Sequence, residues 1–239
     1  MTNRARVTGL YLFLQLRKMR TTIMRMKIQI ITLFPEMFPG VLNASMLWKA
    51  QEQGAVEFEY INLRSYGLGP RKQVDDTPYG GGDGMLLKPE PLVAAIETAK
   101  KNDPTAKVIL PTPRGKLFVQ SEAKTLAADG GGYIFICPRY EGYDERIVAY
   151  TDLQYCIGNY VVTGGELPSM IMIDAIVRLL PGVLGGESSA AIESFQDDDI
   201  SIEYPQYTRP EVFNGVRVPE VLLNGHHAEI AAWRQSQRG

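Results

Sequence analysis

The stretches KVILPTPRG (107–115), YIFICPRYEG (133–142) and LQYCIGNYVVTGGELP (153–168) decide the fold. Each opens on a short apolar run, KVILP (107–111), YIFIC (133–137) and LQYCI (153–157), the pattern of a strand covered on both faces. Each then enters a loop built from proline, glycine and polar residues. Helix-like segments separate the runs, over 118–128 and from Tyr143 to Tyr150. A stronger one, Glu166 to Leu180, is stopped by Pro181-Gly182. YVV (160–162) reads as one more short strand. Upstream, KIQIITLF (27–34) is strand-like. Phe38, Val41, Leu42, Met46 and Leu47 give residues 36–53 helical spacing, closed by Gly54. VEFEYIN (56–62) alternates as a strand, residues 64–84 are turn-rich, and 90–101 is helical. This alternation predicts an α/β domain with a mostly parallel sheet.

The 239 residues suffice to bury a core without metal or disulfides. Two cysteines, Cys137 and Cys156, and two histidines, His226 and His227, are too few for a disulfide framework or a Cys/His zinc site, and they fit a reducing compartment. No run of about 20 apolar residues predicts a membrane span. Residues 1–25 carry six basic side chains and no acidic one. The rest has 19 basic against 27 acidic. We read 1–25 as an extension ahead of a folded chain opening at Met26. A targeting peptide is disfavoured, because the apolar stretch is short and no cleavage site follows; a basic arm for nucleic acid is the alternative. Beyond Lys124 every cation other than histidine is arginine, the better residue for forked contacts to phosphate or a base edge.

After Leu184 the texture changes. Glu187, Glu193, Asp197, Asp198, Asp199 and Glu203 fall in a stretch with no basic residue between Arg178 and Arg209, which reads as a solvated linker. A small tail with a helical end, HHAEIAAWRQ (226–235), follows.

The glycine loops match neither GxxxxGK[ST] nor a GxGxxG after the first strand, so an ATPase or a dinucleotide enzyme is unsupported. Three loops after three strands point instead to a shared pocket at the carboxyl edge of the sheet. There, backbone groups can read a ligand at close range. Turn chemistry alone is the competing reading.

Six motifs then stand in order: FPEMF (34–38), VDDTPYGGG (74–82), RYEGYDER (139–146), GGELP (164–168), LPGVLG (180–185) and YTRPE (207–211). Together they resemble the bacterial tRNA (guanine-N1)-methyltransferases, of the SPOUT class. The resemblance runs from Met26 to about Arg234. It implies a parallel-sheet α/β domain with a deep trefoil knot, plus a small, mainly helical C-terminal domain. The implied division is a disordered extension (1–25), a knotted S-adenosylmethionine-binding domain (26–185), an acidic flexible linker (186–199) and a tRNA-binding domain shorter than usual (200–239). The implied activity is methyl transfer from S-adenosylmethionine to N1 of the guanosine 3′ of the anticodon. The implied assembly is a cytoplasmic homodimer, with active sites at the subunit interface, binding the tRNA anticodon stem-loop and no membrane. A divalent ion such as Mg2+ is an additional candidate. A knotted methyltransferase for another RNA, or a catalytically impaired RNA-binding dimer, are the alternatives.

By the same resemblance the cofactor residues are Leu110, Pro111, Thr112 and Pro113 in the first loop, and Pro138, Tyr140 and Glu141 in the second. The third loop supplies Cys156, Ile157, Gly158, Asn159, Tyr160, Val161, Val162, Gly164, Gly165 and Pro168, and a partner subunit supplies Glu203. Glu141 or Glu166 is expected to meet the cationic donor. Arg178 matches the arginine that stabilises charge on O6; a salt bridge to Asp174, one turn earlier, is its bland alternative. Glu193 stands where the family has an aspartate base, with Asp197, Asp198 and Asp199 as nearby substitutes. Arg178, Arg209, Asn224 and His226 are candidates for RNA contact, and Trp233 for stacking or for the tail's core. The chain departs from the family pattern at Pro138 (usually glycine), Asn159 (usually aspartate) and Gln206 (often histidine), and it ends at Gly239, short of the usual helical tail.

Overall fold

The computed structural model describes residues 25–184, 193–196 and 198–239. Of the basic extension only Arg25 is described, and residues 185–192 and Asp197 of the acidic stretch lie outside the described residues.

The chain begins with β1 (Met26–Thr32), a 3-10 turn at Pro35–Met37, α1 (Pro39–Leu42), α2 (Ser45–Glu52) and β2 (Val56–Asn62). The single helix expected over 36–53 is thus three pieces. The break falls at Ala44, which is extended, and Ser45, whose φ of 49° interrupts the helical run. A 3-10 turn at Leu63–Tyr66 leads to the small pair β3 (Asp75–Asp76) and β4 (Leu86–Leu87), then α3 (Pro89–Asn102), β5 (Lys107–Leu117), α4 (Gln120–Ala128) and β6 (Tyr133–Ile136). A 3-10 segment at Glu145–Tyr150 stands where a helix was expected. It is followed by β7 (Leu153–Cys156) and α5 (Glu166–Val177). The tail holds a two-residue ladder, β8 (Val212–Phe213) with β9 (Val216–Arg217), a 3-10 turn at Glu220–Leu222 and α6 (His227–Ser236).

Five strands form one sheet in the order β2-β1-β6-β5-β7, and every pairing in it is parallel. Side chains alternate between two fully covered faces. Ile28, Ile30, Ile109, Tyr133 and Phe135 join Met172, Ile173, Ile176 and Val177 of α5. Ile31, Val108, Leu110, Ile134 and Ile136 join Leu92, Ala95, Ile96 and Ala99 of α3. Each such aliphatic side chain contributes about 1.5–3 kcal/mol on burial. Covering both faces explains why these strands are continuous apolar runs rather than alternating ones. The buried Gln29 is matched by the Ala99 carbonyl, 2.9 Å from its Nε2.

Two departures from the sequence expectation shape the sheet's carboxyl edge. First, β5 does not stop at 111. Pro111 and Lys116 both pair with Tyr155 of β7, so residues 112–115 loop out between them. Gly115 is required here, because a Cβ on it would lie 2.5–2.7 Å from the Gln154–Tyr155 backbone. Second, YVV (160–162) is not a strand. β7 is an edge strand with no neighbour beyond it among the described residues, and the chain turns away at Gly158, whose φ is +151°.

Candidate functional site

The three loops after β5, β6 and β7 come together. They enclose a cavity of about 510 Å³, within the ~300–1,000 Å³ of small-molecule sites. Pro111, Thr112 and Pro113 line it from the first loop, and Pro138, Tyr140 and Glu141 from the second. Cys156, Ile157, Gly158, Tyr160, Val161, Val162, Gly164, Gly165 and Pro168 line it from the third.

Three expected residues are not on this wall. Leu110 is fully buried in the α3-side core, because strand alternation turns it away from the loops. Asn159 is exposed at the turn. Glu203 lies in the tail, where its carboxylate accepts from Gln206 and its N–H donates to Ser194 Oγ at 2.9 Å. Leu86, Tyr143, Glu145 and Tyr155 line the cavity from outside the three expected loops, and Arg114, Arg139, Gly142 and Thr163 from within them, none assigned to the cofactor by the sequence.

Backbone hydrogen bonds fix the loops to one another. Gly165 N–H donates to the Pro138 carbonyl at 2.7 Å, Glu141 N–H to Met85 at 3.0 Å, and Leu87 N–H to Gly142 at 2.9 Å. Gly165 must be glycine for this contact, since a Cβ would lie 2.6 Å from Cys137 Cα. Tyr143 Oη donates to Thr112 Oγ1 at 3.1 Å and joins the first loop to the second. Within the third loop, Tyr160 N–H bonds to Gly158, but no backbone carbonyl among the described residues takes the N–H groups of Val161, Val162, Thr163 or Gly164. Backbone N–H groups are strong donors, so these are free to bond to solvent or to a molecule bound against the loop. Pro138 supplies a carbonyl and no N–H.

Behind the wall lies a buried polar knot. Glu166, the first residue of α5, is fully buried. Its Oε1 accepts from Thr32 Oγ1 at 2.8 Å, and its Oε2 lies 2.8 Å from Arg139 Nε, off the hydrogen-bond line, so that contact is ionic. Arg139 also reaches the Thr163 carbonyl (3.4 Å) and Met37 Sδ (3.0 Å), and its Cζ stands 4.6 Å over the Phe34 ring. Glu166 therefore does not face the cavity, contrary to its expected role beside Glu141. A buried carboxylate costs several kcal/mol unless paired, and Arg139, the Thr32 hydroxyl and the amino end of α5 compensate it. Burial pushes the Cys137 thiol, beside this knot, well above its usual range, which makes it inert.

The second cluster sits at the other end of α5. Arg178 caps the helix. Its Nη2 lies 2.5 Å from Glu193 Oε1, and both side chains are 27% exposed. The partner of Arg178 is thus Glu193 and not Asp174. This bond holds the guanidinium charged, above its ordinary pKa. The substitutes for Glu193 are engaged elsewhere. Asp199 accepts from Ser121 N–H and Oγ at 2.8 and 2.7 Å, and Asp198 from Ile200 and Ser201 N–H at 3.0 and 2.5 Å. These bonds hold both carboxyls below the usual range. Asp197 lies outside the described residues. Thirteen residues of helical rise separate Gly165 from Arg178, about 20 Å, and neither Arg178 nor Glu193 lines the cavity.

In the tail, Arg209 is exposed. The Asn224 side chain accepts from His226 N–H and donates to Glu229, both at 2.9 Å, and so shapes the start of α6. His226 is exposed at that start. Trp233 is half-buried beside Tyr207, with ring centroids 6.4 Å apart. Among the described residues no three His, Cys, Asp or Glu side chains gather as metal ligands, and no helix is long and apolar enough to cross a membrane.

A family model described as tRNA (Guanine-1)-methyltransferase TrmD matches residues 26–239. The tRNA (guanine-N(1)-)-methyltransferase of Myxococcus xanthus is 50% identical over 208 residues, 87% of this chain and 83% of its own length. That of Halalkalibacterium halodurans is 53% identical over 215 residues, 89% and 86%. The crystal structure of a tRNA (m1G37) methyltransferase from Aquifex aeolicus superposes with a TM-score of 0.73 at 35% identity, covering 87% of each chain.

Proposed function

The chain belongs to the tRNA (guanine-1)-methyltransferase family, and from that premise we propose that it methylates N1 of the guanosine 3′ of a tRNA anticodon, with S-adenosylmethionine held in the loop cavity. The observation that carries this reading is that Val161–Gly164, whose amides no backbone carbonyl among the described residues takes, line a cavity together with Glu141, which has no ion-pair partner among the described residues. That wall fits an adenosyl group read by backbone and a cationic sulfur. S-adenosylmethionine supplies an electrophilic methyl when bound there. The closed carboxyl edge, where the loops come together, is the part of the fold we assign to the trefoil knot.

Guanine presents an N1–H donor beside an O6 acceptor. Glu193 and Arg178 present the complementary pair, a carboxylate that accepts the N1 proton and a guanidinium that donates to O6 as charge develops there. A positioned base contributes about 10²–10⁴-fold, and an aimed cation acts where charge appears. Glu193 therefore takes the proton, and Arg178 orients the base edge and stabilises O6.

About 15 Å of α5, from Pro168 on the cavity wall to Arg178, separates this pair from the cavity of the same chain. We therefore assign the working site to a homodimer, in which the cavity of one copy meets the pair of the other. α5 supports this. Leu167 and Ile171 are about half exposed on the helix stripe that continues through Asp174 to Arg178, and Val161 in the third loop is 89% exposed. Glu203 would then reach the partner's cavity, and Arg209, Asn224 and His226 would face tRNA. In this reading 26–185 is the donor-binding domain, 186–199 the linker and 200–239 the tRNA-binding domain. A tRNA substrate places the work in the cytoplasm. In this reading a divalent ion such as Mg2+ is an additional cofactor candidate beside S-adenosylmethionine.

The test is methyl transfer to a tRNA transcript carrying guanosine 3′ of the anticodon, with the product nucleoside identified by mass. Transfer yielding N1-methylguanosine, lost when that guanosine is replaced, supports the reading. Labelling that survives the replacement favours another RNA target. Donor binding without any transfer favours an impaired RNA-binding dimer.

A further inference from the structure

We propose that Glu166, which does not line the cavity, sets the charge of its wall, so that the wall favours a cationic sulfonium over a neutral thioether. This rests on the reading of the cavity as the donor site. Four charged side chains among the described residues line the cavity: Arg114, Arg139, Glu141 and Glu145. Arg114 and Glu145 pair with each other at 3.2 Å and largely cancel. Arg139 would cancel Glu141 were it not already paired with a carboxylate behind the wall. Glu166 lies 2.8 Å from it, fully buried, and faces away from any ligand. The wall is therefore left with the single negative charge of Glu141.

The arrangement also makes Arg139 unable to leave. Its guanidinium is held by the Thr163 carbonyl, Met37 Sδ and the Phe34 face. A Cβ on Gly164 would lie 2.5 Å from its Nε, so the third loop is packed directly on it. Arg139 thus serves as a strut for the loop that carries the donor amides, and Glu166 makes that strut electrically silent. Without Glu166, the methyl donor would face a fixed cation, whereas the demethylated product, S-adenosylhomocysteine, whose sulfur is neutral, would be indifferent to it.

The experiment is calorimetric binding of S-adenosylmethionine and S-adenosylhomocysteine to the full chain, reported as the ratio of the two dissociation constants, with melting temperature as a fold control. Glu166→Gln keeps the side chain's size and the acceptor for Thr32 but removes the charge. At an effective dielectric near 20, a unit charge acting over roughly 10 Å shifts such a ratio by about tenfold, here against the donor. A purely structural defect weakens both ligands alike and leaves the ratio where it was. Arg139→Gln carries the same test with opposite sign, read as pH is raised because a buried carboxylate left unpaired holds its proton, and it decides the matter if Glu166→Gln does not fold. A ratio unchanged within twofold in a folded variant overturns the inference while the donor reading stands. A wild-type chain that binds neither ligand overturns both.

Discussion

If the cavity of one copy works with the Arg178–Glu193 pair of another, two dead chains must repair each other. Val162 lines the cavity, so Val162→Trp fills it and blocks the donor, while Glu193→Gln leaves the cavity intact and removes the base. Each homodimer is inactive. In a mixed dimer, one composite site combines a blocked cavity with a missing base. The other combines the open cavity of the Glu193→Gln chain with the intact Glu193 of the Val162→Trp chain. Random pairing makes half the dimers mixed; purification through both tags keeps only these, each with one working site of two, so about half of wild-type activity returns. Were both parts used within one chain, every site in every dimer would lack one of them and nothing would return. The separation of about 15 Å along α5 makes the outcome all-or-none, because no side chain rearrangement spans that distance. The assay is methyl transfer to tRNA after co-expression with two different tags and purification through both in sequence. Activity of a double-tagged sample no higher than that of either parent homodimer would refute the composite site.

Three further outcomes rest on individual contacts. Glu193→Gln should leave donor binding unchanged by calorimetry and lower single-turnover methyl transfer by about 10²–10⁴-fold; near wild-type turnover would move the base elsewhere. Gly115→Ala should lower stability by about 1–3 kcal/mol, read by urea unfolding, because the new methyl meets the Tyr155 backbone, which cannot yield without parting β5 from β7. The Asp199 carboxyl is lowered by its bonds to Ser121. Its docking contribution is therefore complete above the ordinary carboxylate range and is lost as pH falls through the lowered value. Hydrogen exchange at the Ser121 amide should accelerate over that acidic window in the wild type, and already at neutral pH in Asp199→Asn.

The central strands are legible because both faces of the sheet are covered there, which makes the opening of β5 and all of β6 unbroken apolar runs, whereas β2 at the edge is legible by its alternation. The cavity was legible for a related reason, since glycine and proline had to cluster where three such runs end. What escaped depends on distant partners or on edges. The helix break at Ser45 rests on a positive φ that no side chain announces. YVV (160–162) has the composition of a strand but lies beyond an edge, with nothing among the described residues to pair against. Glu166 looked like a ligand group among glycines, yet Thr32, 134 residues earlier, draws it inward. Arg178 ends its helix as its place just before Pro181-Gly182 predicts, but its partner is Glu193, fifteen residues on within the linker, rather than Asp174 one turn back.

The double pairing of Tyr155 separates two properties that are usually tied together. Pro111 and Lys116 hold the same position on β7, so the residues between them form a closed detour whose length the flanking ladder does not sense. One or two residues added after Pro113, ahead of Gly115, would redraw the mouth of the cavity while the strands on either side kept their alignment. Ligand preference in this molecule can therefore drift, or be engineered, at that detour independently of the sheet that supports it.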